Sequence, residues 1–257
     1  MSEVVLSVQG VSKSFGDRRV HDNVSFDVRR GEILGLMGPS GGGKSLILKI
    51  IIGLVRPDSG RVHFDREDIC SLKESDLYHV RTRIGYVFQS GALSDSMTVE
   101  ENLSYPLQKH TRKSPEEIAQ VVRQRLRLVD LAGTEELYPA QLSGGMQKRA
   151  GLARATILDP SVVLFDEPTA GLDPINIRRL VYRVNYIRKS RNLSGIFVSH
   201  DFSSLAAVSD RVAFLWDSRI HAIGTVDEIR ISPDPVIQSF VNTDYRAEGL
   251  LNGRSEV

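Results

Sequence analysis

The chain places Gly38-Pro39-Ser40-Gly41-Gly42-Gly43-Lys44-Ser45 between two apolar runs, Ile33-Leu34-Gly35-Leu36-Met37 before it and Leu46 to Ile52 after it. The first run has no alternation, as expected of a strand covered on both faces. The second, stopped at Gly53, reads as a buried helix. A glycine-rich turn of the form G-x-x-x-x-G-K-S/T between strand and helix directs backbone N–H groups inward around phosphate oxygens. The helix N-terminus adds a favourable field. Lys44 is expected to bridge the β- and γ-phosphates of a nucleoside triphosphate, and the Ser45 hydroxyl to ligate Mg²⁺. A merely flexible glycine turn is the plain alternative, and the strand-then-helix setting argues against it.

The rest of the pattern fits an α/β protein. Val4 to Val8 and Val24 to Val28 alternate like half-buried strands, and Arg61 to Phe64 reads as a short strand after the turn Pro57-Asp58-Ser59-Gly60. Ile84 to Phe88 looks like a core strand. From about Thr98 to Ala155 helical periodicity dominates, with Ser114-Pro115-Glu116-Glu117 a strong helix start. Strands return at Val162 to Phe165 and Gly195 to Val198, and Arg211 to Leu215 with Arg219 to Ala222 resembles a terminal hairpin. The expected layout is an α/β core over residues 1–90 and 156–242, a helical subdomain over 91–155 and a polar tail over 243–257.

Composition sets further bounds. With 257 residues, 41% of them hydrophobic and 25% charged, the chain suffices for one large domain. A net charge of +1 argues against nucleic acid as the main partner. Cys70 is the only cysteine, so no internal disulfide forms, and it reads as a small apolar residue. Met1 to Leu6 lacks the arrangement of a signal peptide. The most apolar segment, Leu46 to Val55, is interrupted by Lys49 and falls short of the ~20 residues needed to span a bilayer. A cytosolic protein is expected, serving a membrane only through a partner.

Val162-Val163-Leu164-Phe165-Asp166-Glu167 delivers two carboxylates at a strand end, where parallel sheets place ligands. Asp166 suits the outer shell of the metal, and Glu167 suits a general base polarising the attacking water. His200 ends another apolar strand within reach of a γ-phosphate. Gln89, at a junction between strand and insertion, is a candidate to sense Mg²⁺. His21, His63, His79, His110 and His221 are expected to be structural. At Leu142-Ser143-Gly144-Gly145-Met146 a serine hydroxyl and glycine N–H groups at a helix start form a second anion site, for which one chain has no second triphosphate.

In this order the motifs resemble those of the nucleotide-binding subunit of ATP-binding cassette (ABC) transporters, over nearly the whole chain. The resemblance implies a P-loop NTPase core with an N-terminal antiparallel β subdomain and a helical subdomain insertion. It makes Gln89 the glutamine loop, Leu142 to Met146 the signature, Asp166-Glu167 the end of the Walker B strand, Asp173 part of the D-loop and His200 the switch histidine. Phe15 takes the position of the aromatic that stacks on adenine. The implied ligands are ATP and Mg²⁺, and Ser143, Gly144 and Gly145 then close over the γ-phosphate held by the opposite subunit of a homodimer. Lys44, Glu167 and His200 carry hydrolysis. Leu46 departs from the pattern, standing where many members have a hydroxyl that touches the α-phosphate.

Phe88 to Leu93, Met97-Thr98-Val99, Tyr105-Pro106-Leu107 and Ser232 to Phe240 are similar to the ATPases of Mla and Mce-associated phospholipid transport systems. That resemblance implies integral membrane permease subunits, a periplasmic Mce-domain lipid-binding partner, a possible small STAS-domain protein, and a place on the cytoplasmic face of the inner membrane. Ala92, Leu93 and Met97 are expected to help dock the permease. A cassette ATPase acting on ribosomes or DNA is the alternative class, disfavoured by the single cassette and the balanced charge. Within transport, amino-acid or other small-solute import is the runner-up.

Overall fold

The computed structural model describes residues 3–242, and the tail expected over 243–257 lies outside them. Along the chain β1 (Val4–Phe15), β2 (Arg18–Arg29) and β3 (Ile33–Met37) precede α1 (Lys44–Ile51). Next come β4 (Ser59–Phe64), β5 (Glu67–Asp68), α2 (Glu74–Arg83) and β6 (Ile84–Val87). Three helices follow, α3 (Val99–His110), α4 (Pro115–Leu128) and α5 (Gly144–Ala155). The chain then runs through β7 (Val162–Asp166), α6 (Pro174–Arg191), β8 (Ser194–Val198) and α7 (Phe202–Ala206). It continues through β9 (Arg211–Trp216), β10 (Arg219–Thr225), α8 (Val226–Arg230) and α9 (Pro235–Val241).

Among the described residues the strands form two sheets. One is antiparallel, in the order β2-β1-β4-β5. The other has the order β10-β9-β3-β8-β7-β6, parallel throughout except for the hairpin β9–β10. Every residue of β3, β7 and β8 is buried, because helices and the first sheet cover both faces of this sheet. On β2 the burial alternates instead, with Val24, Phe26 and Val28 inward and Ser25 and Asp27 outward.

Strand β1 departs from the expected alternation: Val5, Leu6, Ser7 and Val8 are all buried. A register shift between Val4 and Leu6 interrupts the two-residue period at the start of the strand. The strand also runs on to Phe15, well past the expected end. The helix start expected at Ser114 is found. Ser114 caps α4 by accepting from the Glu117 N–H while the Glu117 carboxylate accepts from the Ser114 N–H at 2.6 Å. Helices α3 to α5 share one apolar cluster with Val87, Val163 and Phe165 of the sheet. Between β6 and α3 the backbone at Gly91 lies directly on α5. A Cβ at Gly151 would stand 2.8 Å from the Gly91 Cα, and one at Gly91 would stand 2.9 Å from the Gln147 carbonyl oxygen.

Candidate active site

The phosphate loop leaves the C-terminal end of β3 and enters α1, whose N-cap is Gly43. Lys44, the first residue of the helix, is buried, and its Nζ donates to the carbonyls of Gly38 and Pro39 at 2.9 Å each. It also stands 3.7 Å from Glu167 Oε1. Burial pushes the Lys44 pKa down and the Glu167 charge opposes that shift. The lysine is therefore held at the mouth of its own loop, next to the carboxylate pair. Ser40 and Gly41 are exposed at the tip, where a polyanion would meet them.

Beneath the loop lies His21, fully buried on β2, with Nε2 3.0 Å from the Gly43 carbonyl. Its Nδ1 is buried without a partner among the described residues. Protonation would bury an unsatisfied donor, and burial accordingly pushes the His21 pKa below its ordinary value, against the Gly43 hydrogen bond. The unfolded chain takes up a proton near pH ~6.5 that the folded chain refuses. The stability His21 contributes is thus intact above that pH and lost as the pH falls through it. Thermal unfolding followed from roughly pH 7.5 to 5 should show a falling Tm, with a shallower fall in His21→Phe. Parallel profiles for the two proteins would exclude His21 as the titrating group.

The carboxylates sit at the adjoining strand end. Parallel pairing of β7 with β8 sets Asp166 level with Val198, so Asp166, Glu167 and His200 emerge at the C-terminal ends of these two neighbouring strands. Asp166 accepts from Ser45 Oγ at 2.6 Å through one oxygen and from Tyr86 OH at 2.8 Å through the other. Burial, and then the Asp166 charge, push the Tyr86 pKa up, which keeps it a neutral donor. Glu167 has a positive φ of 47° and donates its N–H to the Val198 carbonyl. Its Oε2 lies 2.8 Å from His200 Nδ1 while Oε1 faces Lys44. Lys44, Ser45, Asp166, Glu167 and His200 thus converge.

The other expected residues lie around this centre. Phe15 is exposed at the end of β1, with Lys13 Nζ 5.4 Å from its ring centroid. Gln89 is exposed two positions beyond β6. Leu46 is half-buried against the core. Ser143 caps α5, and both it and Gly144 are exposed, whereas Gly145 is buried against Asn176. Asp173 caps α6, accepting from the N–H groups of Ile175 and Asn176 at 3.0 Å. Leu93, expected at a docking surface, is half-buried and packs in part against the cluster shared by α3 to α5. A groove of about 350 Å³ lies between α2 and α3, lined by residues including Tyr78, Arg81, Tyr86, Pro106, His110 and Arg154.

Residues 21–170 match the sequence profile of the ABC transporter family. The chain belongs to that family. It is 38% identical over 241 residues to the intermembrane phospholipid transport ATP-binding protein MlaF of Haemophilus influenzae, covering 94% of this chain and 91% of that one. The Escherichia coli MlaF is 39% identical over 238 residues, with 93% and 88% covered. A protein of Mycobacterium leprae named a probable ribonucleotide transport ATP-binding protein is 40% identical over 239 residues, with 93% and 69% covered. Among solved structures, a dimeric ATP-binding cassette bound to ADP and Pi in a post-hydrolysis state superposes with a TM-score of 0.80. It is 29% identical, and 86% of this chain and 98% of that chain are covered. A subunit of an ABC transporter complex from Clostridium perfringens has the same fold (TM-score 0.82, 24% identical, 98% and 99% covered).

This ABC subunit is an ATPase of the P-loop class, with hydrolysis coupled to transport. Among the described residues no helix is long and apolar enough to cross a membrane. Among the described residues no three His, Cys, Asp or Glu side chains form a group placed to hold a metal. Mg²⁺ usually keeps several waters and takes one or two protein ligands plus substrate phosphates. The Ser45–Asp166 pair supplies such a donor set.

Proposed function

We propose that this subunit binds ATP and Mg²⁺ at the phosphate loop, closes as a homodimer on two ATP molecules, and drives phospholipid transport through a membrane permease. The observation that carries the catalytic part is the convergence of Lys44, Ser45, Asp166, Glu167 and His200 at the C-terminal ends of the parallel strands. Lys44 exchanges its carbonyl partners at Gly38 and Pro39 for the β- and γ-phosphates. Gly38 and Ser40 to Gly43 line the phosphates with backbone N–H groups, Pro39 having none to offer, and Phe15 stacks on the adenine. Ser45, with Asp166 and Gln89 around it, would hold Mg²⁺, which would supply positive charge to offset that of the phosphates. Glu167 orients and deprotonates the attacking water, and His200 holds Glu167 and reaches the γ-phosphate. Water oxygen bonds to the γ-phosphorus, the bond to the β–γ bridging oxygen breaks, and ADP and phosphate leave. Ser143, Gly144 and Gly145 close over the ATP of the opposite subunit, with Asp173 beside them.

Phospholipid as cargo is favoured by the MlaF relatives, of which this chain covers 88% and 91%, against 69% of the ribonucleotide-named relative. The identity of that relative, 40%, keeps a small-solute cargo as the second reading. In the phospholipid reading the subunit lies on the cytoplasmic face of the inner membrane, with a periplasmic Mce-domain partner and, in some systems, a STAS-domain protein. The permease docks in the groove between α2 and α3 rather than on Leu93. Tyr78 is exposed there, so Tyr78→Asp should leave the Tm within about 2 °C, as surface changes do. Permease recovered with the tagged subunit should fall to background, and undiminished recovery would rule the groove out. The cargo is tested by purifying tagged Glu167→Gln with ATP and Mg²⁺ from gently solubilised membranes, followed by mass spectrometry. A permease with an Mce-domain protein and phospholipid supports the proposal. A permease with a solute-binding protein moves the cargo to small solutes, and ribosomal proteins or DNA overturn transport.

A further inference from the structure

We propose that Lys148 and Asn176 tie the signature helix to the loop after Glu167, so that both move as one piece when the opposite ATP site closes. The inference rests on the two-subunit reading above. Lys148 lies one helical turn beyond Gly144 on α5, half-buried, and its Nζ donates to the carbonyl of Ala170. That carbonyl belongs to the short connection between Glu167 and α6. Within it the Ala170 N–H donates to the Glu167 carbonyl at 3.2 Å and the Leu172 N–H to the Thr169 carbonyl at 3.2 Å. The connection is therefore a run of tight turns, and a pull at Ala170 reaches Glu167 with little slack.

A second tie runs through Asn176, in the first turn of α6. Its Nδ2 donates to Asp173 Oδ2 at 2.6 Å, and Arg149 of α5 reaches its Oδ1 at 3.5 Å. The backbone of α5 also touches this side chain, since a Cβ at Gly145 would stand 2.7 Å from Asn176 Oδ1. Ser143, Gly144, Gly171 and Asp173 are exposed at the outer ends of the same assembly. Contact made at the signature end is thus delivered to the loop of the same chain, and through it to Glu167. Lys148 also feels the Glu167 charge, which opposes the downward shift that burial imposes on its pKa. Lys148 and Asn176 are positioning residues: neither is placed to touch the phosphates, and each acts through the loop.

The test measures ATP hydrolysis by the full chain against ATP concentration, with ATP affinity and Tm measured beside it. In Lys148→Met, ATP affinity stays within about twofold while kcat falls about tenfold, the loss expected of one charged donor. The Hill coefficient of hydrolysis falls toward 1. Lys148→Arg, which keeps a donor, restores both. Asn176→Ala reproduces part of the defect and adds little to Lys148→Met, because the two break one connection. A Lys148→Met protein that loses only Tm, with kcat and Hill coefficient unchanged, shows packing alone and overturns the proposal. Dimerisation of Glu167→Gln with ATP, followed by sedimentation, separates the two readings. Without it the two-subunit reading and this inference fall together, whereas a dimerising Glu167→Gln beside an unaffected Lys148→Met defeats the inference alone.

Discussion

Glu167→Gln is expected to lower the ATPase rate by about 10²–10⁴-fold, the range a positioned general base supplies, while ATP affinity changes little. The amide keeps the size of the side chain, and its oxygen still accepts from His200 Nδ1, now 2.8 Å from Oε2. What it loses is the ability to take a proton from water. It also loses the charge beside Lys44, whose pKa that carboxylate holds up against burial. Lys44 regains a counter-charge when the phosphates arrive, so the cost falls on turnover more than on binding. Single-turnover hydrolysis beside an ATP titration checks this. A rate within tenfold of the unmodified protein would remove Glu167 from the role of base, leaving His200 as the next candidate.

Gly38→Ala is the second large effect, and it acts through packing. A Cβ there would stand 2.2 Å from the Leu215 carbonyl oxygen and 3.3 Å from the carbon of that carbonyl. Both atoms are backbone of β9, which pairs with β3 along Leu34 to Met37. Neither strand shifts without breaking that ladder. Overpacking of a fixed core costs about 1–3 kcal/mol, and each kcal/mol lowers the Tm of a domain this size by ~2–4 °C. A Tm loss of about 5 °C or more is expected, together with weakened ATP binding, because the loop that starts at Gly38 must tilt. Gly41→Ala serves as the comparison. Its φ is +73°, but a Cβ there meets nothing within 4 Å, so it carries backbone strain without collision. Equal Tm losses in the two variants would mean that the contact with β9 does not govern the effect.

The sequence discloses those parts of this molecule where one residue type is demanded by chemistry or by full burial. Strand β3, Val162 to Phe165 of β7 and Ile196 to Val198 of β8 are unbroken apolar runs, and they were legible for that reason. Helix α4 announced itself by its capping residues. Helix α6 did not, since its buried face is the narrow stripe Leu180, Val184 and Ile187 set among arginines and tyrosines. Helix α2 buries only Leu77 and Val80. In the site, the phosphate loop, the carboxylate pair and His200 could be read because phosphate and water chemistry restrict what stands there. Their supports could not. Tyr86 reaches Asp166 across 80 positions of sequence, and Lys148 reaches Ala170 across 22. His21 looked structural and is buried, but its place under Gly43 follows from how β2 passes beneath the loop. Such contacts are products of the fold, and no local pattern marks them.

The meeting of Gly91 with Gly151 has a consequence for how this chain can drift over generations. Most crowded pairs leave an escape, because a larger residue on one side is accommodated by a smaller one on the other. Here neither partner has anything to give up. A methyl group on Gly151 runs into the Gly91 main chain, and one on Gly91 runs into the Gln147 carbonyl. No second-site change in side chain relieves either clash, so both positions are mutational dead ends. The variation tolerated by the segment after Gln89 must accumulate around these two residues and never at them.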